Sequence, residues 1–196
     1  MESLINTLAL GSTYYNILIG VIIVLALLFR LLGFKNNHKS INFKYTKMPT
    51  LEPIPISTKG KSLFVAVKIW LGERRRWYLV EDWVFEKNGH VYLIPKGFVF
   101  DGATIPRFLT IWFAPTGILL LGALVHDYLY FKSTMYKFGV NEWVTTKKYN
   151  RKEIDKIFRD ICIDVNGFYS LNYIAYIFVR CTGWFYWNQY KKKSHD

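Results

Sequence analysis

The distribution of hydrophobic and polar positions changes character several times along the chain. From Asn16 to Phe29 the residues are almost all Ile, Leu and Val, and no charge occurs between Glu2 and Arg30. With Leu31, Leu32, Gly33 and Phe34 beyond Arg30, the run reaches the ~20 residues that a bilayer-spanning helix needs. Tyr14 and Tyr15 stand where an aromatic belt would lie, and Arg30 can snorkel to the interface. A cleaved signal peptide would carry a basic start and a small-residue cleavage site. Here Glu2 opens the chain and Arg30-Leu-Leu-Gly-Phe-Lys35 follows the apolar run, so an uncleaved anchor is expected. Arg30, Lys35, His38 and Lys39 follow the span and no basic residue precedes it, which predicts a single-pass membrane protein with its C-terminal domain on the cytoplasmic side.

The stretch from Asn36 to Lys61 is polar and carries Pro49, Pro53, Pro55 and Ser57-Thr58-Lys59-Gly60, so it reads as a partly extended linker that lifts the folded part off the membrane. From Ser62 onward the spacing suggests strands: Leu63–Trp70 and Arg76–Val80, joined by a turn at Leu71-Gly72-Glu73-Arg74. Trp83-Val84-Phe85 and Val91–Ile94 flank Asn88-Gly89, a strong hairpin signal, and Phe98-Val99-Phe100 adds a further strand. After Pro106 the pattern turns helical. Ile118–Phe131 is apolar on nearly every face, as a core or membrane-touching helix would be. Asn150 opens a second helix in which Ile154, Ile157, Phe158 and Ile161 repeat at helical spacing, closed by Asn166-Gly167. A third helix, from about Ser170 to Tyr190, is dense in aromatics. Its Arg180, Asn188 and Gln189 argue against a membrane crossing and for a core or interfacial helix laying Trp184, Phe185 and Trp187 toward lipid or sheet. The expected fold is α+β: an N-terminal transmembrane helix as anchor (1–35), a linker (36–61), and one α+β domain (62–196) with a small antiparallel sheet of four or five strands followed by about three helices.

A net charge of +12 beside 52% hydrophobic and 18% aromatic residues shifts the choice of partner. The cations are dispersed in small clusters such as Arg74-Arg75-Arg76 and Lys191-Lys192-Lys193, which favours a lipid membrane surface over nucleic acid. Cys162 and Cys181 lie in apolar surroundings without metal-like spacing and are expected to be buried free thiols.

Candidate chemistry gathers between Pro95 and Tyr130. Asp101, His126 and Asp127 sit at the ends of apolar runs, where an ionisable group needs a partner or a task. His126 and Asp127 stand about 100° apart on a helix and can border one pocket without touching, while Tyr130 shares the His126 face. Asp155, at the start of the next helix, can reach the imidazole if the two helices pack antiparallel. It would then fix the tautomer and leave the other nitrogen as a base. Asp127 would be available to a hard cation with carbonyls from Pro115-Thr116-Gly117. Asp101, His126, Asp127 and Asp155 together also suit a transition metal. In a purely structural reading, Asp101 caps a turn, Arg107 pairs with Asp101 or Asp127, and His126–Asp155 is a buried bridge.

Three blocks in order, Pro95–Arg107 (PKGFVFDGATIPR), Ala123–Tyr130 (ALVHDYLY) and Arg151–Phe158 (RKEIDKIF), resemble a phage and bacterial family, domain of unknown function 1353. Thr104 and Ile154 replace the Ser and Ala of the family pattern, and the resemblance covers Leu63 to Gly183. It implies a phage or prophage origin and no particular activity. The His126-Asp127-x-x-Tyr130 helix with a later Asp is also similar to phospholipase A2 enzymes, whose His activates water while the neighbouring Asp holds calcium. The calcium loop of those enzymes is reduced here to Pro115-Thr116-Gly117, and their disulfides are absent. Two functions are therefore expected side by side. One is a membrane-anchored phage protein, a structural component of a virion or host membrane that meets lipid and other virion or membrane proteins. The other is a calcium- or zinc-dependent hydrolase with His126, Asp155 and Tyr130 as catalytic residues and Asp127 and Asp101 as metal ligands.

Overall fold

A computed structural model describes residues 38–72, 76–100 and 119–193, with isolated positions between 16 and 24. The expected anchor therefore lies almost wholly outside the described residues, as do Asp101, Arg107 and Pro115-Thr116-Gly117. Among the described residues no helix is long and apolar enough to cross a membrane, which accords with the interfacial or core reading of the C-terminal helix.

The domain is α+β. In chain order its elements are β1 (Lys44–Tyr45), β2 (Leu51–Pro53), α1 (Leu63–Gly72), β3 (Trp77–Leu79), β4 (Trp83–Lys87), β5 (His90–Ile94), β6 (Val99–Phe100), α2 (Leu120–Lys132), β7 (Tyr136–Phe138), β8 (Trp143–Thr145), α3 (Arg151–Asn166) and α4 (Tyr169–Lys193). The strands form two antiparallel sheets, β1-β4-β5-β7-β8 and β2-β3-β6. The β4–β5 hairpin turns on Asn88 and Gly89, both at positive φ (52° and 74°), the two-residue turn that this dipeptide favours. Trp83, Phe85 and Lys87 point inward and Val84 outward, so the alternation is a half-buried strand.

Three expectations are corrected. The one sheet followed by helices is instead two sheets, with α1 before β3 and with β7 and β8 between α2 and α3, because these strands complete the larger sheet beside β5. Leu63–Trp70 is helical rather than extended. Eight of the ten residues Leu63–Gly72 are apolar, without a true alternation, and among the described residues no strand pairs with them; a helix satisfies its own backbone without a partner. Its Leu63 and Phe64 are 83% and 80% exposed. Residues 38–61 of the stretch read as a linker do not stand clear of the domain: Lys44–Tyr45 pairs with Phe85–Glu86, and Leu51–Pro53 with Trp77–Leu79.

The start of that stretch is fastened to α3 by Asp164. Its Oδ2 accepts from Ser40 Oγ (2.9 Å) and from the backbone N–H groups of Ile41 (3.0 Å) and Phe43 (3.1 Å). Its Oδ1 lies 3.1 Å from His38 Nε2. Asp164→Ala is expected to cost about 1–2 kcal/mol, because backbone donors lose a charged acceptor. It should also expose residues 38–45 to limited proteolysis before the domain unfolds, which a timed digestion will read.

The core sits between the larger sheet and the helices. Trp83, Phe85, Tyr92 and Ile94 pack in one buried cluster with Leu124, Val125 and Leu129 of α2 and Ile154 and Ile161 of α3. A second cluster, Leu119, Ala123, Phe158, Cys162 and Ala175, joins α2, α3 and α4. Cys162 is buried as expected, whereas Cys181 is exposed, because it lies on the outward side of α4.

Candidate functional site

Helix α2 is apolar all round because it is enclosed: ten of its thirteen residues are buried. It crosses α3 at Gly122, where a Cβ would overlap Cys162 Sγ and sit 3.0 Å from the Phe158 carbonyl oxygen. One turn later His126 meets Asp155 and Phe158, and Tyr130 meets Asp155. Residue numbers thus rise along α2 as they fall along α3, the antiparallel packing that the His126–Asp155 contact requires. Helix α3 is started by a complete capping box, in which the Asn150 side chain accepts from the Glu153 N–H and the Glu153 carboxylate accepts from the Asn150 N–H. That cap sets the register in which Ile154, Asp155, Phe158, Ile161 and Cys162 face inward.

Asp155 is the centre of the site, with a relative exposure of 0%. Its Oδ1 accepts from His126 Nε2 at 3.0 Å and from Tyr130 Oη at 2.6 Å. Its Oδ2 accepts from Arg180 Nη1 of α4 at 2.7 Å. Asp127 lies on the other side of the imidazole, with Oδ1 3.3 Å from His126 Nδ1. The expectation that His126 and Asp127 border a pocket without touching is therefore corrected: His126 rotates so that both ring nitrogens face carboxylates. Its ring lies 4.0 Å from the Tyr130 ring and packs edgewise on Phe158, and the residue is 8% exposed.

The charges follow from this geometry. An ionised carboxylate only accepts, so a carboxylate facing each ring nitrogen favours the doubly protonated imidazolium. Burial works to lower the His126 pKa, but the Asp127 and Asp155 carboxylates outweigh it and hold it above its ordinary 6.5. Burial likewise works to raise Asp155, and its bonds to His126, Tyr130 and Arg180 hold it below its ordinary 3.8. Burial and the Asp155 carboxylate push the Tyr130 hydroxyl far up, so it remains a donor.

A raised histidine contributes its full stability below its unfolded value of 6.5 and loses it as pH rises through the higher folded value. The lowered Asp155 contributes in full above 3.8 and loses its share as pH falls through the lower folded value. Unfolding free energy is thus expected to hold between 3.8 and 6.5 and to fall on the alkaline side. Denaturant titrations across pH will show this, and His126→Gln should flatten the alkaline decline.

The structure brings His126, Tyr130, Asp155 and Asp127 together. Asp101 lies outside the described residues, and among those residues no group of three or more His, Cys, Asp or Glu side chains is placed to hold a metal ion. Sequence reasoning missed the role of Arg180, treated above only as an obstacle to membrane crossing. The signal was present: an arginine in an apolar helix needs a buried anion. Two clefts border the cluster. One, of about 460 Å³, places Phe98, Phe100, Tyr128 and Phe131 around Asp127 and Lys132. The other, of about 560 Å³, lies beyond Arg180 and is lined by Lys148, Tyr149, Asn150, Arg151, Lys152 and Trp187 as well.

No curated protein and no solved structure matches the chain. A family model does match, from Trp77 to Val179, a span that holds β3 through the first part of α4 and includes His126, Asp127, Tyr130 and Asp155, with Arg180 one residue beyond it. The chain belongs to the family described as protein of unknown function (DUF1353).

Proposed function

We propose that this protein is a membrane-associated structural component without catalysis, in which the Asp155 cluster locks three helices together. One observation carries this reading: both nitrogens of His126 face carboxylates, Asp127 on one side and the buried Asp155 on the other, and Asp155 is paired with Arg180 as well. An imidazolium so held has no lone pair with which to take a proton from water. Support for membrane association comes from the apolar run Asn16–Phe34, the net charge of +12 and the exposed apolar residues of α1. The phage setting implied by the sequence blocks would make the protein a component of a virion or host membrane.

A second reading, a phospholipase-A2-like hydrolase acting on lipid, is favoured by the apolar cleft beside Asp127. It requires Asp127 to turn away from His126 and free Nδ1. The described residues supply no calcium or zinc cage around Asp127.

His126→Asn separates the two. The structural reading expects a loss of about 1–3 kcal/mol, the scale for disturbing a buried hydrogen-bonded group, and no phospholipid hydrolysis by either protein with calcium or zinc supplied. Hydrolysis by the unmodified chain, abolished in a variant that melts at the same temperature, would establish the hydrolase instead.

A further inference from the structure

The cleft on the far side of Arg180 is built differently from the His126 cluster. Lys148 and Tyr149 precede α3, Asn150 caps it, Arg151 and Lys152 form its first turn, and Arg180 and Trp187 enter from α4. Four of these seven lining residues are cationic and none is a carboxylate. Nearby Glu153 is occupied elsewhere, accepting from Lys147 Nζ at 2.7 Å and from the Asn150 N–H. Among the described residues, Lys148, Arg151 and Lys152 form no ion pair with an acidic side chain.

Arg151 is held in place, since its Nη1 donates to the Arg180 carbonyl at 3.0 Å. Arg180 is held by Asp155 through Nη1. Each guanidinium is thus fixed by one end and keeps further N–H donors, a pre-organised arrangement that lowers the entropic cost of binding. Guanidinium forks match the oxygens of phosphate, and two flanking ammonium groups add charge without demanding geometry. Asp155 pairs with one of the four cations, and the remaining three favour an anion of more than one charge.

The geometry points to this cleft as a binding site for a phosphomonoester, with Arg151 and Arg180 as the forked donors and Lys148 and Lys152 as the charged rim. The phosphate comes either from a lipid headgroup or from a soluble molecule. The site is independent of whether the His126 cluster is structural or catalytic, because it uses neither His126 nor Asp127.

The test is isothermal titration of the full chain in zwitterionic detergent micelles, with inorganic phosphate in one arm and dihexanoyl phosphatidic acid in the other. Lys148→Gln/Lys152→Gln serves as the first variant; both side chains are exposed and leave the fold alone. Arg151→Gln is the second. Loss of charged hydrogen bonds should weaken binding by about tenfold or more in each variant. Binding of both ligands, weakened in the variants, establishes a general phosphomonoester site. Binding of the lipid alone, weakened in the same way, assigns the phosphate to a headgroup. No heat with either ligand, or equal affinity in the variants, overturns the site.

Discussion

Asp155→Asn is expected to lower the stability of the domain by on the order of 3–5 kcal/mol, the range for removing one partner of a buried ion pair. The substitution keeps the shape and one acceptor oxygen, so the loss is nearly all electrostatic. Among the described residues the cluster pairs two carboxylates, Asp127 and Asp155, with one guanidinium, Arg180, and one imidazole, His126, whose proton the carboxylates favour. Without the Asp155 charge, Arg180 and a protonated His126 lose the buried carboxylate they share. Part of the cost is relieved because Arg180 keeps 29% of its side chain exposed and can turn toward water. His126 has no such exit and is expected to release its proton, so the alkaline decline in stability should vanish with it. Chemical denaturation at neutral pH will read the loss, and a change below about 1 kcal/mol, the size of an exposed ion pair, would contradict the role of Asp155 as a buried ionic partner.

Gly122→Leu is expected to be comparably damaging, at about 3 kcal/mol or more, the upper range for overpacking a closed interior. The obstacle is partly backbone: the Phe158 carbonyl oxygen would lie 3.0 Å from the new Cβ, and it cannot rotate away. Helix propensity works in the opposite direction, since any ordinary residue improves on glycine by up to about 1 kcal/mol. A net loss therefore measures the steric term. The smaller Gly122→Ala should be partly rescued by Cys162→Ala, which removes the sulfur and leaves the carbonyl. A double-mutant cycle on denaturation free energies tests this coupling, and strict additivity would show that the two helices do not approach so closely. Because the Gly122 crossing sets where His126 meets Asp155, the leucine variant should also weaken the pH dependence of stability.

Much of this site was legible in the chain. His126, Tyr130 and Asp155 each lie on an otherwise apolar helix face, and the Asn150 cap with Ile154, Phe158 and Ile161 fixes which way Asp155 points. Asn88-Gly89 likewise specified its hairpin, because both positions need positive φ. What failed was long-range or unpatterned. The Arg180 contact spans 25 residues and depends on the register of α4 against α3, which no local spacing encodes. The rotation of His126 toward Asp127 is a side-chain choice made by the closed surroundings. Leu63–Trp70 misled because β-branched residues suggest a strand even where none of the described strands pairs with them. β1 and β2 are two and three residues long, too short for a periodicity, and their pairing comes from β4 and β3 rather than from their own residues.

The most direct test of the central claim, that His126 is a locked imidazolium and not a base, is nitrogen-15 NMR of its ring at neutral pH in the full chain. Two protonated ring nitrogens, persisting above pH 6.5 and lost in Asp155→Asn, are the expected result. A neutral ring with an unprotonated Nδ1 would contradict the lock and return His126 to the role of catalytic base.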